Sequence, residues 1–185
     1  LTAGNPSLRV FLTPGFRPAL ARDYLPVDSL LSDPTLARHR ISAGTTIQTA
    51  GLRIKVLYPP ADLPDASFAQ LNPGRSTIAP RESSGVVLIH LGTQRILLAT
   101  RLGPYACNYL CRNYPALRVD TLILNGANPP NPRLAQLITR LRPQRIIAAG
   151  ATTVDRAVWY QSLARTLGSQ FLKAADRGGC LLAAP

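Results

Sequence analysis

The sequence predicts one α/β domain over residues 1–185, built from mixed sheets layered with flanking helices. Three observations predict it. The first half carries short apolar runs in hairpin-like pairs, set between proline-rich turns. The second half alternates strand runs with helical patterns. The runs are apolar where a core would hold them.

Taken in order, residues 8–13 form a strand and residues 18–24 a short helix. Residues 27–31 form another strand, ended by Ser32-Asp33-Pro34. A hairpin-like pair follows at 45–49 and 52–58, closed by Pro59-Pro60. Residues 61–82 carry Pro, Asp, Ser, Asn and Gly with no sustained period, which is the signature of a long loop. Residues 86–91 and 95–99 are two buried strands joined through Gly92-Thr93. Gly103-Pro104 opens a helix that runs to about residue 112, with proline at its favoured first position. Residues 119–124 are a strand and 125–130 a loop. Asn131-Pro132 caps a helix whose Leu134, Leu137, Ile138 and Leu141 repeat at i, i+3, i+4, i+7. Residues 145–149 are the next strand, ending at Gly150. Thr152 caps a further helix, with Asp155 three residues on and Gly168 as its stop. Residues 171–174 and 180–183 form a closing hairpin.

Hydrophobic residues make up 46% of the 185 residues, which excludes a disordered chain. No apolar run approaches the ~18–20 residues needed to span a bilayer, and no charged start precedes an apolar core as in a signal peptide. The expectation is a soluble piece, of a kind that can belong to a larger membrane protein. Charge is the strongest compositional feature: Lys+Arg 21 against Asp+Glu 9, net +12. Lys55 and Lys173 are the only lysines. Arginine forks onto phosphate and stays charged, so a nucleic acid or a membrane headgroup is the partner this charge suits; the alternative is a compositional bias toward arginine. Cys107 and Cys111 lie four apart on one helix and Cys180 far along the chain. With His39 and His90 they make no zinc spacing, and they are expected to be structural thiols.

The stretch from Ser84 to Gly103 (SGVVLIHLGTQRILLATRLG) resembles a signature of the metallo-β-lactamase-type domain of ComEC-type DNA-uptake proteins. In that family a strand beginning with Ser meets a second strand ending in Gly-Asp, whose Asp is a metal ligand. Asp120 to Gly150 resembles the next block, an Asp-x-Leu strand, a His-His-Gly-Ser turn, a helix, Arg-Pro and a strand ending in Gly. Leu167 to Leu182 resembles the closing hairpin, and Ile41 to Ile47 with Leu52 to Pro60 the middle one. Val27 to Arg38 resembles the strand leading into the first metal motif, Ser-His-x-Asp-x-Asp-His, after which a segment usual in the family is missing here. The resemblance covers most of the chain and rests on the order of blocks. It implies a layered αββα fold.

The departures fall on the ligands. In this register the first motif's histidines become Asp33 and Arg38, and its acids Thr35 and Ala37. The Gly-Asp becomes Thr100-Arg101, and the paired histidines become Gly126 and Ala127. A two-metal hydrolase needs imidazoles and carboxylates converging on ions ~3.5–4 Å apart. Glycine and alanine cannot ligate, and arginine repels a cation. The expectation is a vacated metal site, no cofactor and no catalytic residue.

Several residues are candidates for a replacement role. Arg101 precedes a helix start whose free N–H groups favour anions, so it either holds a phosphate or fills the vacated position; otherwise it is a surface arginine or pairs with an acid such as Asp33. Asn125 and Asn128, in the loop after a strand's carboxyl end, either contact a ligand or serve as turn residues. Arg133, Arg140, Arg142 and Arg145 follow, with Arg133 and Arg140 on one helix face as a phosphate strip or a solvated face. Tyr105 and Tyr109 either stack bases or pack on the sheet. Ser83, Ser84 and His90 make no hydrolase triad, since no Gly-x-Ser-x-Gly elbow surrounds either serine.

The resemblance and the charge together imply a non-catalytic domain that guides or scaffolds incoming DNA. Its further partner is the membrane channel of the same protein, on the outer face of the bacterial inner membrane. A phosphodiester hydrolase with non-standard ligands and a purely structural interaction module stand as alternatives. Oligomeric state and DNA preference are not legible.

Overall fold

The computed structural model describes residues 9–12, 37–49, 51–62, 84–99 and 101–174. The expected helix at 18–24, strand at 27–31, long loop beyond residue 62 and returning strand at 180–183 lie outside them. The architecture is α/β. Strands β1 (Arg9–Leu12) and β2 (Ala37–Arg40) pair in parallel as a two-stranded sheet. A seven-stranded mixed sheet runs in chain order through β3 (Thr46–Thr49), β4 (Leu52–Tyr58), β5 (Val86–Leu91), β6 (Gln94–Ala99), β7 (Thr121–Asn125), β8 (Arg145–Ala149) and β9 (Gln170–Lys173). Two residues separate β3 from β4 and β5 from β6; the β3 to β6 half is antiparallel, while β6 to β9 are parallel. The parallel half needs crossovers, and the chain supplies helices α1 (Pro104–Asn113), α2 (Pro132–Leu141) and α3 (Val154–Leu167).

The register shows why one face collects the core. Leu88, Leu97, Leu122, Ile146 and Phe171 stand side by side across five strands. The first four are at most 6% exposed, and all five pack in one cluster with residues of the three helices. The helices therefore lie on this same face. In α2 the predicted stripe holds: Leu134, Leu137, Ile138 and Leu141 are buried, each burial stabilising by about 1.5–3 kcal/mol. Cys107 and Cys111 are buried in this core and in no disulfide among the described residues, as expected for structural residues. Burial pushes the Cys111 thiol up, against the opposing pull of Arg140 and Arg133. Among the described residues no helix is long and apolar enough to cross a membrane.

Element boundaries follow the sequence closely, with three differences. Strand β2 was not anticipated, because Ala-Arg-His-Arg has no apolar alternation and is held by pairing with β1. Strand β7 starts at Thr121 rather than 119. Asp120 is used at the strand entrance, where its backbone and carboxylate bond Arg95 (2.8 and 2.7 Å). The N-cap of α3 is Thr153 and not Thr152, and it makes no side-chain cap bond. Thr152 is instead turned against Gly126, as described below.

Asn131 caps α2 as predicted, its Oδ1 accepting from Leu134 N at 2.8 Å. At the other end of α2, Arg142 takes a left-handed conformation (φ 49), the one non-glycine to do so among the described residues. That conformation costs an L-residue roughly 1–2 kcal/mol. A cation at a helix C-terminus recovers about 0.3–1 kcal/mol of it. Arg142→Gly is expected to leave the fold intact and raise stability by up to about 1 kcal/mol. A lower urea midpoint than wild type would contradict this.

Candidate functional site

The parallel strands end together. Ala99 is in register with Leu124, and Asn125 with Ala149. Their carboxyl ends release three adjacent loops, at 101–103, 126–131 and 150–153, where ligand-contacting loops of such sheets gather. The four sequence candidates Arg101, Asn125, Gly126 and Asn128 are brought together here.

The loop after β7 is closed by its own groups. Asn125 Oδ1 accepts from Ala127 N at 2.8 Å, and Asn125 O accepts from Asn128 N at 3.0 Å, which makes a side-chain-supported turn. Gly126 N donates to Ala149 O at 2.8 Å, tying the turn to β8. Asn128 is 3% exposed. Its Oδ1 accepts from Leu102 N at 3.2 Å, and its backbone O accepts from the Tyr160 hydroxyl at 3.3 Å. One buried carboxamide thus clamps the loop after β6, while α3 clamps the carboxamide's own backbone. The amide oxygens of Asn125, Asn128 and Asn131 are all engaged within the fold, which is the turn-and-cap reading of this loop. Asn128→Ala strips Leu102 N of its partner at a buried site and is expected to cost about 1–3 kcal/mol, read by urea unfolding.

Gly126 is where a side chain is least tolerated. A Cβ built there would fall well inside contact of Thr152 Oγ1 and 3.1 Å from the Ala151 carbonyl. Thr152 Oγ1 is itself buried and has no hydrogen-bond partner among the described residues. The loops after β7 and β8 therefore pack through a Gly–Thr contact at the position where the resemblance sets a metal-binding imidazole. Among the described residues no three His, Cys, Asp or Glu side chains gather as a metal would require. The described residues do not fit a two-metal centre: these loops offer amides, a hydroxyl and a guanidinium, and a side chain at Gly126 would run into Thr152. Of the remaining positions in the expected register, Asp33, Thr35 and Thr100 lie outside the described residues. Ala37 and Arg38 stand within β2.

Arg101 is exposed at this end, ahead of the α1 start at Gly103, whose N-cap makes no side-chain bond. Tyr105 and Tyr109 point back to the sheet: their rings meet that of buried Tyr58 at 6.4 and 5.5 Å between centroids. Burial pushes the Tyr109 phenol up, with Tyr114 and Asp62 adding to it. Both tyrosines are packing residues in this geometry. Arg133 is in the first turn of α2, bonded to Gln136 Oε1 at 3.3 Å. Arg140 and Arg142 are at the far end of the same helix, and Arg145 is half-buried at the start of β8. The four arginines that are close in sequence are thus divided between opposite ends of the sheet. Sequence reading missed Thr152 as the packing partner of Gly126, and Tyr160 as the anchor of the loop. Neither leaves a linear signal, since each acts across more than 25 residues.

No family model matches the chain, and no curated protein matches it. Solved structures do. The metallo-β-lactamase fold protein YhfI from Bacillus subtilis is 10% identical over 93% of this chain and 64% of its own, with a TM-score of 0.46. A protein assigned as a metal-dependent hydrolase from Parabacteroides distasonis is 14% identical over 74% of this chain and 57% of its own, at 0.49. CmlA, a diiron β-hydroxylase from Streptomyces venezuelae, is 12% identical over 75% of this chain and 33% of its own, at 0.45. The chain spans from about a third to just under two-thirds of the length of these proteins.

Proposed function

We propose that this chain is a degenerate metallo-β-lactamase-like domain of a DNA-uptake apparatus, one that holds DNA by its backbone and does not cut it. The observation that carries this reading is the substitution of the site: where the block order calls for ligands, Gly126 is packed on Thr152, and Arg101 is exposed beside it. The chain-wide excess of arginine over acid, net +12, supports a polyanionic partner. Guanidinium groups contact phosphate without reading sequence, so the binding should be indifferent to base order. Attachment to a membrane channel on the outer side of a bacterial inner membrane belongs to the same proposal and rests on the block order alone.

The test is a titration of the purified chain with labelled single- and double-stranded DNA at 50 and 200 mM salt, with and without Mn²⁺ or Mg²⁺. Four phosphate contacts would give a log–log salt slope of about −3.6, a loss of roughly 150-fold between those concentrations. Salt-sensitive binding that leaves the DNA intact is the expected result. Metal-dependent cutting would overturn the non-catalytic part and favour a hydrolase with unusual ligands. Absence of binding at low salt would overturn the DNA part and favour a structural interaction module.

A further inference from the structure

We infer that the DNA-contacting face is the amino-terminal rim of the parallel strands, opposite the end that carries Arg101 and the vacated loop. This inference rests on the reading of the domain as a DNA-binding platform and names the face it uses. The three helices all finish at this rim, and each has an arginine in its last turn: Arg112 in α1, Arg140 in α2 and Arg165 in α3. Arg142 caps α2, and Arg118 lies in the segment entering β7. Hydrogen bonds gather these pieces. Arg140 Nη1 donates to the Cys111 carbonyl at 3.0 Å, beside Arg112. Val119 N donates to Leu141 O at 3.2 Å, setting Arg118 next to Arg140 and Arg142. Ser169 Oγ donates to Pro143 O at 2.6 Å, bringing the end of α3 to the same place.

A structural explanation covers part of this charge. Each helix C-terminus carries roughly half a negative charge, about one and a half for the three. Five guanidiniums exceed that several-fold. The carboxylate at the rim among the described residues, Asp120, is already held by Arg95, at 3.4 Å. Arg118 and Arg140 each spend one donor on a backbone carbonyl. Such anchoring leaves further donors for phosphate and lowers the entropy lost on binding. Arg142 is an exposed arginine held in the left-handed region where glycine is favoured, so the rim keeps a cation at a backbone cost.

The opposite end is less free to take a polyanion. Among the described residues its guanidiniums are those of exposed Arg101 and Arg133 and of half-buried Arg156 in the first turn of α3. Asn131 caps α2, Pro104 removes a donor from α1, and Asp155 occupies the first turn of α3.

The experiment compares two charge-matched double variants of the full chain, Arg112→Gln/Arg142→Gly at the rim and Arg101→Gln/Arg133→Gln at the other end. Binding of a labelled thirty-nucleotide thymidine oligomer is read by fluorescence anisotropy from 25 to 200 mM salt, with circular dichroism to confirm folding. The rim pair is expected to weaken binding on the order of ten-fold and to flatten the salt slope by about 1.4, two single-strand phosphate contacts. The other pair should lose several-fold less and keep its slope. Equal losses would show a response to net charge alone and overturn the inference, as would a larger loss at the Arg101 end. Wild type bound to vesicles of phosphatidylglycerol through the rim arginines, and not to the oligomer, would overturn it as well. If wild type fails to bind the oligomer at 25 mM salt, the platform reading itself falls. If wild type binds but the rim pair binds equally well, only the assignment of the face falls. Should the rim pair unfold, Arg112→Gln alone, on an exposed helix end, gives the same comparison.

Discussion

Gly126→Ala should destabilise the domain by about 2–3 kcal/mol, and the double substitution Gly126→His/Ala127→His should not create a metal site. The new Cβ would meet Thr152 Oγ1 and the Ala151 carbonyl at once. Overpacking of this kind costs typically 1–3 kcal/mol, and here one of the opposing groups is backbone that cannot turn away. A second effect adds to it: any shift of the β7 loop disturbs the Gly126 N to Ala149 O bond that ties it to β8. Urea unfolding measures the first expectation, and titration calorimetry with Zn²⁺ and Mn²⁺ the second. The cause can be isolated with Thr152→Ala, which removes the opposing hydroxyl and should return part of the loss in the double variant. Two additive losses would mean that the residues are not in contact. A tolerated Gly126→Ala, or stoichiometric metal binding by the histidine pair, would put a cavity where the structure has a packed contact.

Tyr160→Ala is expected to be the most destabilising single change among the loop anchors, at about 3–5 kcal/mol. Tyr160 is fully buried, stacked on Phe171 at 5.8 Å and edge-on to Trp159 at 4.9 Å. Its hydroxyl donates to the Asn128 carbonyl. Burial also pushes the phenol well above its ordinary range, which keeps it protonated, and so a donor, at neutral pH. Tyr160→Phe keeps the ring and loses only the hydrogen bond, for about 1 kcal/mol. The gap between the two variants separates ring packing from loop anchoring. If Tyr160→Phe cost as much as Tyr160→Ala, the hydroxyl and not the ring would dominate. If DNA binding survives Tyr160→Phe unchanged, that agrees with a contact face at the other end of the sheet.

The α/β class, the hairpin about Gly92, the α2 stripe and the caps at Asn131 and Gly168 were all legible in the sequence. They depend on neighbours within about one helical turn or one hairpin, and period, turn residues and caps record such neighbours directly. Strand β2 was not legible. Ala-Arg-His-Arg has no strand pattern, and only pairing with β1, about thirty residues earlier, makes it one. The cap at Thr152 was misplaced for a related reason. The N-cap is Thr153, one residue later, and Thr152 turns its side chain against Gly126, a neighbour 26 residues away that linear patterning does not record.

The candidate site divides along the same line. That positions 101, 126 and 127 carry Arg, Gly and Ala, which offer a cation no ligand, is a matter of residue type, and the sequence alone determined it. So were the arginine excess and the expectation of a polyanion partner. Which arginines share a surface was decided only by the tertiary structure. Arg133 and Arg140 are on one helix, yet ten residues of helix put them near opposite ends of the sheet. Arg112, Arg118, Arg142 and Arg165 are scattered through the chain and share one rim because three parallel crossovers deliver every helix end to it. Asn128 became a clamp because strand order set its loop beside Leu102. Local interactions are written into the period and type of neighbouring residues. Contacts between loops depend on which strands lie adjacent, and that is chosen by the burial of the whole core.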